Sequence, residues 1–345
     1  MTGNPLAGFR IDRAAIRHVG HDLQRPECIL AEPDGTLWTA DARGGVMRID
    51  PGGAQKLIRQ TGRGPGEGDT DPRRYLTGGS LPNGITFAGD GDGDGDLIIA
   101  NFGTDAVERM TRDGDSRTLV TEIDGEPLGK VNFAMTDLRG RIWITVTTRV
   151  RPWIRSINER TPDGYVALLD DAGLRVVADG FVGTNEARFD AAGEWLYVVE
   201  SNARRISRLR IDGEKVTARE VFGPAELPGT PDGCAFDSFG NLWVTLIHAD
   251  RLVALTPDGE VLTLLDDGDP ASVADYDRHV AAGTVTAELM GRTHGTLAPL
   301  LASLTFGGPD LRTVYLGSIL GRTLPSFRSP VAGLAPAHWT GRRTP

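Results

Sequence analysis

One unit recurs along this chain, and a recurring unit constrains a fold more than any single motif can, because each copy must pack on its neighbours in the same way. The unit is a polar residue, a short apolar strand, a turn rich in Asp and Gly, and a second strand with an aromatic or aliphatic centre. Four clear copies read ECILAEPDGTLWTAD (27–41), NFAMTDLRGRIWITV (132–146), NEARFDAAGEWLYVV (185–199) and DGCAFDSFGNLWVTL (232–246). NGITFAGDGDGDGDLIIANFG (83–103) and SLTFGGPDLRTVYLGS (303–318) are looser copies that bring the set to six. Successive starts lie 56, 49, 53, 47 and 71 residues apart, somewhat above the roughly 40–50 residues of a propeller blade.

Most units run on into a second hairpin, as in GGVMRIDPGGAQKLI, YVALLDDAGLRVVAD and RLVALTPDGEVLTLLDD. Polar and aliphatic positions alternate there around DG, GG or GE turns, the pattern of half-buried antiparallel strands. The pattern predicts an all-β chain: a six-bladed β-propeller with four-stranded antiparallel blades around a central channel. A chain of 345 residues would otherwise suggest two domains; the repeat makes residues 1–345 a single propeller domain. Insertions at about 151–164 and 269–295 interrupt it, the second with a partly helical pattern, and loops of such length often act as lids. Either FRIDRAAIRHVG (9–20) or PVAGLAPAHW (330–339) is expected to supply the outer strand that closes the ring.

Radial repetition brings the first strands to the axis, so the residues that open them are predicted to share one place. These are Glu27, Asn83, Asn132, Asn185, Asp232 and Ser303. Any one of them alone reads as a turn residue bonding its own backbone. Six in register put two carboxylates and several amides at one channel mouth, where a bound cation would relieve the repulsion. Oxygen donors suit a hard divalent metal: calcium first, with magnesium or manganese, and zinc or ferrous iron as further candidates.

The ordered set RPEC (25–28), KVNFAMTDLRGRIW (130–143), TNEARFDAAGEWLYV (184–198), TPDGCAFDSFGNLWV (230–244) and TFGGPDLRTVYLGS (305–318) resembles the SMP-30/gluconolactonase/luciferin-regenerating family over nearly the whole chain. That resemblance implies a six-bladed, calcium-dependent lactonase. It makes Glu27, Asn185 and Asp232 the metal ligands, Asp232 also the general base, and Asn132 a substrate contact. Lys130, standing where sugar lactonases often carry Arg, and Asn83 complete the expected substrate-binding set. Three positions depart from the family pattern. Asn185 is followed by Glu186 rather than Gly, Asn132 by Phe133 rather than Asp, and Lys130 offers a point charge in place of a planar donor. A non-catalytic propeller binding a metabolite or protein, and an organophosphate hydrolase, are the rival readings.

With 47 acidic against 37 basic residues, the net charge of −10 repels phosphate backbones and anionic lipid heads, which argues against nucleic acid and membrane partners. The expected partner is a small lactone or ester; the sequence leaves the oligomeric state open. No apolar run approaches a membrane span, and no charged-then-apolar leader opens the chain, so a cytoplasmic location is expected. Cys28 and Cys234 are expected to be reduced and buried. The run from Asp90 to Asp96 imitates a calcium loop but falls where the other units have hairpin turns. His248 and His294, and the insertion residues Arg149, Arg151, Trp153 and Arg155, are further candidates for the channel or a lid over it.

Overall fold

In the computed structural model, described over residues 3–62, 79–89, 95–292 and 295–340, the six units become six four-stranded antiparallel sheets. Blade one holds β2 to β5 (Ile29–Ala31, Leu37–Asp41, Gly45–Ile49, Gln55–Arg59), and blade two β6 to β9 (Pro82–Phe87, Leu97–Asn101, Ala106–Met110, Ser116–Val120). A small hairpin, β10 and β11 (Glu122–Ile123, Glu126–Pro127), leads to blade three, β12 to β15 (Val131–Thr136, Ile142–Val146, Gly164–Asp170, Gly173–Phe181). Blade four is β16 to β19 (Thr184–Phe189, Trp195–Glu200, Arg205–Asp212, Lys215–Phe222), and blade five β20 to β23 (Pro231–Phe236, Leu242–Leu246, Arg251–Leu255, Val261–Asp266). Blade six is β24 to β26 (Leu301–Gly307, Thr313–Ser318, Leu324–Arg328) with β1 (Arg17–Val19) on its outer edge.

That last pairing closes the ring, with Arg17 opposite Ser326 and Val19 opposite Leu324. The N-terminal segment is therefore the closing strand. The C-terminal one instead lies against blades one and five: Gly333 bridges Asp237, and the Trp339 indole donates to the Ala31 carbonyl at 2.6 Å.

Neighbouring blades are joined by aromatic residues that the repeat places in step. Trp38, Trp143 and Trp243 turn their indoles toward Glu32, Asp137 and Asp237 at 2.6, 3.0 and 2.9 Å. In blades three and five the same carboxylate also accepts backbone N–H groups of the intervening turn. Each acid thus ties the end of an inner strand to the next strand, which lets a Trp be buried with its N–H satisfied. The rings then meet the following blade edge-on: Trp38 on Phe87 at 6.3 Å, Trp143 on Phe189 at 5.2 Å and Trp243 on Phe306 at 5.3 Å.

Around the axis, the innermost strands of blades two to six slip register near their starts. The shifts fall between Pro82 and Gly84, Val131 and Phe133, Thr184 and Ala187, Pro231 and Cys234, and Leu301 and Ser303. A bulge leaves a residue outside the ladder and re-aims its side chain. The positions freed are Asn83, Asn132, Asn185 with Glu186, Asp232 with Gly233, and Ala302. Ser303, read from sequence as the sixth member of the polar set, is therefore the residue after the bulge. Phe87, Phe189, Phe236 and Phe306 each follow the freed position by four residues, a spacing that already singles out Ala302.

The two long insertions fold together. Asn158, on α1 (Arg155–Glu159), exchanges hydrogen bonds of 2.8 and 3.0 Å with the Val285 backbone. Helix α2 (Pro270–Ala282) is capped by Asp269 and stopped by Gly283 at φ 66°, and α3 (Ala287–Met290) follows. Ile157, Tyr276, Val285 and Leu289 form their core. This cap docks on the propeller through Tyr276 against His248 at 4.1 Å, Asp277 against Arg204, and Trp153 edge-on to Phe102 at 5.2 Å. His248 is thus a packing residue beneath the cap; burial, aided by the Arg204 charge, pushes its imidazole down to about 3. Arg149 lies over the Tyr165 ring, Arg151 reaches Asp105 at 3.5 Å, and Arg155 pairs with Glu159 at 2.6 Å. His294 and residues 90–94 of the calcium-loop look-alike lie outside the described residues.

Gly84 and Gly233 show how closely the inner strands converge. A Cβ on Gly84 would stand 2.6 Å from the Phe133 Cα, and one on Gly233 2.6 Å from the Ser303 Cα and the Ala302 carbonyl oxygen. Backbone cannot yield cheaply, so Gly233→Ala is expected to cost about 1–3 kcal/mol. Gly52→Ala, which meets nothing within 4 Å, is the control. Urea denaturation of both variants measures the difference, and equal midpoints would mean the strands can part without cost.

Candidate metal centre

Glu27 enters the channel from the loop before β2 and is held there by blade six. The Ser318 N–H donates to the Pro26 carbonyl at 2.9 Å, and the bare Gly317 makes room for the Glu27 carbonyl, which a Cβ would strike. Across the channel Asn185 donates to Asp232, and to the Ser201 hydroxyl at 3.1 Å, while that hydroxyl donates to the Pro231 carbonyl at 2.6 Å. Asn83 donates to the Asn132 carbonyl at 3.0 Å and lies near enough to Glu27 to favour its charged form. The structure thus brings Glu27, Asn83, Asn132, Asn185 and Asp232 into one polar group. Lys130 stands beside it, engaged elsewhere: its ammonium donates to the Phe102 carbonyl at 2.8 Å and pairs with Asp105 at 2.6 Å.

Burial dominates the electrostatics. It pushes the Glu27 carboxyl above its ordinary range, with the Arg25 charge opposing and the Glu186 charge reinforcing. Asp232 is pushed well above its ordinary range by burial and then by the negative charges of Glu27 and Glu186. Two buried amide oxygens, Asn83 Oδ1 and Asn132 Oδ1, accept no hydrogen bond, and Glu27 Oε2 meets only the Arg25 guanidinium, at 2.8 Å. Unpartnered buried acceptors beside carboxylates that resist ionisation are what a hard divalent cation would satisfy, so the residues present fit one. Asn185 would present its carbonyl oxygen by turning its amide about the terminal bond. Among the described residues no three His, Cys, Asp or Glu side chains gather as a metal cluster; the donor set here is two carboxylates with amides.

Sequence reasoning treated Glu186 and Phe133 only as departures from a pattern. The structure makes them one unit. Glu186 is 4% exposed, accepts from the Ser303 hydroxyl at 2.6 Å and the Cys234 N–H at 3.2 Å, and pairs with Arg188 at 2.8 Å. The Arg188 guanidinium in turn lies 4.4 Å from the Phe133 ring centre. Both N–H groups beside the Asp232 bulge are pinned, Gly233 by Thr245 at 2.8 Å and Cys234 by Glu186. Glu186 therefore helps fix the direction of Asp232. Acid and Arg at i and i+2 of an inner strand was the available signal. Cys28 and Cys234 are buried and free.

Residues 25–268 match the SMP-30/gluconolactonase/LRE-like region. The chain belongs to that family. It is 30% identical over 212 residues to an uncharacterised protein of Sulfolobus acidocaldarius, covering 60% of this chain and 64% of that one. It is 27% identical over 241 residues to pentonolactonase XacC of Haloferax volcanii, covering 69% and 67%. The chain thus spans about two thirds of these relatives' length, slightly less for the first. Its fold is similar to that of the calcium-binding protein regucalcin of Agrobacterium tumefaciens, with a TM-score of 0.63 at 14% identity over 92% of this chain and 95% of that one. Among the described residues no helix is long and apolar enough to cross a membrane.

A carboxyl whose pKa is raised on folding opposes the folded state as pH climbs through that raised value, and ceases to do so below the unfolded value near 4. In chelator at neutral pH, Asp232→Asn is therefore expected to melt above the unsubstituted protein, the gap closing as pH falls toward 4. A lower melting temperature at neutral pH would contradict the raised carboxyl. For the ion pair, Glu186→Gln alone leaves the Arg188 guanidinium, whose side chain is 25% exposed, without a counter-charge and is expected to cost about 1–3 kcal/mol. Adding Arg188→Met is expected to cost less than the sum of the single changes; an additive urea-denaturation cycle would show that the two are uncoupled.

Proposed function

We propose that this chain is a divalent-metal-dependent hydrolase that opens a lactone or a related cyclic ester. The observation that carries the reading is the gathering of Glu27, Asn185 and Asp232, with Asn132 and Asn83, at one channel mouth where two buried amide oxygens lack donors. Glu27, Asn185 and Asp232 would hold the ion, calcium by preference for an all-oxygen donor set, with zinc, manganese, magnesium or ferrous iron as alternatives. A divalent ion bound there would polarise an ester carbonyl and acidify a water.

The chain's own groups would do the rest. Asp232, desolvated and aimed by its bulge, would accept the proton of the attacking water. The amides of Asn132 and Asn83 would orient the ester oxygens, and Lys130 would contribute charge at the rim. The cap formed by the two insertions would shield the site from bulk water. A lactone-opening role is supported by membership of a family that includes a pentonolactonase, and calcium by the named property of regucalcin. Free buried cysteines suit a reducing compartment, and the reading places the enzyme in the cytoplasm.

Acid release from a panel of lactones, before and after chelation and with each metal added back, tests the proposal. Turnover is expected to vanish with chelator, to return with calcium, and to fall about a hundredfold or more in Asp232→Ala and Glu27→Gln. Full activity in either folded variant would remove the site. A protein that turns over no lactone yet binds a metabolite would be the non-catalytic propeller, and turnover confined to phosphotriesters would make it an organophosphate hydrolase.

A further inference from the structure

Arg25 stands at the mouth of the channel with its side chain 10% exposed. One nitrogen is engaged: Nη2 lies 2.8 Å from Glu27 Oε2. Nε and Nη1 are buried and donate to nothing among the described residues. A buried donor left unmade on a charged group costs at least about 1–3 kcal/mol. The backbone adds to this, since Arg25 sits at φ 53°, a region that costs a non-glycine residue roughly 1–2 kcal/mol. The unmet donors are what a ligand with acceptor oxygens would satisfy, and a strained backbone at a residue facing a polar site is typical of functional positions.

The surroundings define what that ligand must be. Lys130 lies against the same ring as Arg25, with its ammonium 4.9 Å and the Arg25 guanidinium 6.0 Å from the centre of Phe102. Lys130 already answers to Asp105 and the Phe102 carbonyl, whereas Arg25 keeps two donors unused. The neighbouring unpartnered atoms, Asn83 Oδ1 and Asn132 Oδ1, are acceptors and cannot be served by an anion. A ligand that meets Arg25 must therefore bring acceptor oxygens to a spot beside the proposed cation, and the charge and forked donors of a guanidinium favour a carboxylate.

We propose that Arg25 is an anion-binding residue of this channel, and that its ligand is the carboxylate of a hydroxy acid. The assignment rests on the lactone-opening reading, which makes such an acid the product. Water adds to the ring carbonyl carbon, the ring C–O bond breaks, and the ring oxygen leaves as a hydroxyl. The carboxylate remains and one proton is released. Nε and Nη1 would meet the former carbonyl oxygen as it gains charge, so the same donors serve the transition state and the product.

Calorimetric titration of the full chain in excess calcium, with gluconate and hydroxybutyrate as probes and butanediol as the neutral control, tests Arg25 apart from turnover. The unsubstituted protein is expected to bind an acid and not the diol. Arg25→Gln is expected to weaken acid binding about tenfold or more, and Arg25→Lys by less, with calcium affinity equal or tighter because Glu27 is released. Acid binding within twofold of the original in Arg25→Gln, or no acid binding by the unsubstituted protein, would overturn the proposal. Should Arg25→Gln fail to fold, Arg25→Lys is judged by the same twofold limit. Arg25-dependent acid binding without turnover of any lactone would defeat the lactonase reading and leave the anion site standing.

Discussion

Three carboxylates and two guanidiniums share the buried heart of this propeller, and the surplus of negative charge governs what the rest of the site can be. Glu27 is paired with Arg25 and Glu186 with Arg188. Asp232 has no guanidinium partner among the described residues and leans on the Asn185 amide. Charge removed from water is costly unless it is paired, so the group that resists ionisation most is the one without a cation. A divalent ion would restore balance, because Glu27 and Asp232, only 6% and 5% exposed, are little helped by water.

The propeller was legible because its determinants are local and repeated. Strand alternation, acidic and glycine turns, and the Trp that follows each acid by six residues in blades one, three and five appear in the sequence as they appear in space. The helical character of residues 270–282 was legible as well, through an Asp cap, a following Pro and a terminal Gly. Which terminus closes the ring was not, since both segments carry apolar residues and only the edge of blade six selects between them.

At the site the register was nearly right. Asn83, Asn132, Asn185 and Asp232 stand at the bulges, but the sixth position is Ala302, because polarity was weighed above the spacing to the following Phe. The departures at Phe133 and Glu186 looked like losses of a pattern and are the two ends of an Arg188 bridge. The bulk of Phe133 is accommodated because Gly84 has no side chain where the Phe133 ring and backbone approach it. That compensation joins residues about fifty or more positions apart and has no signature along the chain.

By itself the sequence determined the blade count, the strand pattern, the buried aromatic steps between blades and the identity of the polar residues that open the inner strands. It could do so because each depends on alternation and turn chemistry within a single repeat. The tertiary structure decided which strand closes the ring, that two distant insertions make one cap, and that Arg25 and Arg188 answer carboxylates at the axis. Those outcomes depend on convergence around a centre, where small differences in bulge position and side-chain volume fix which charges meet.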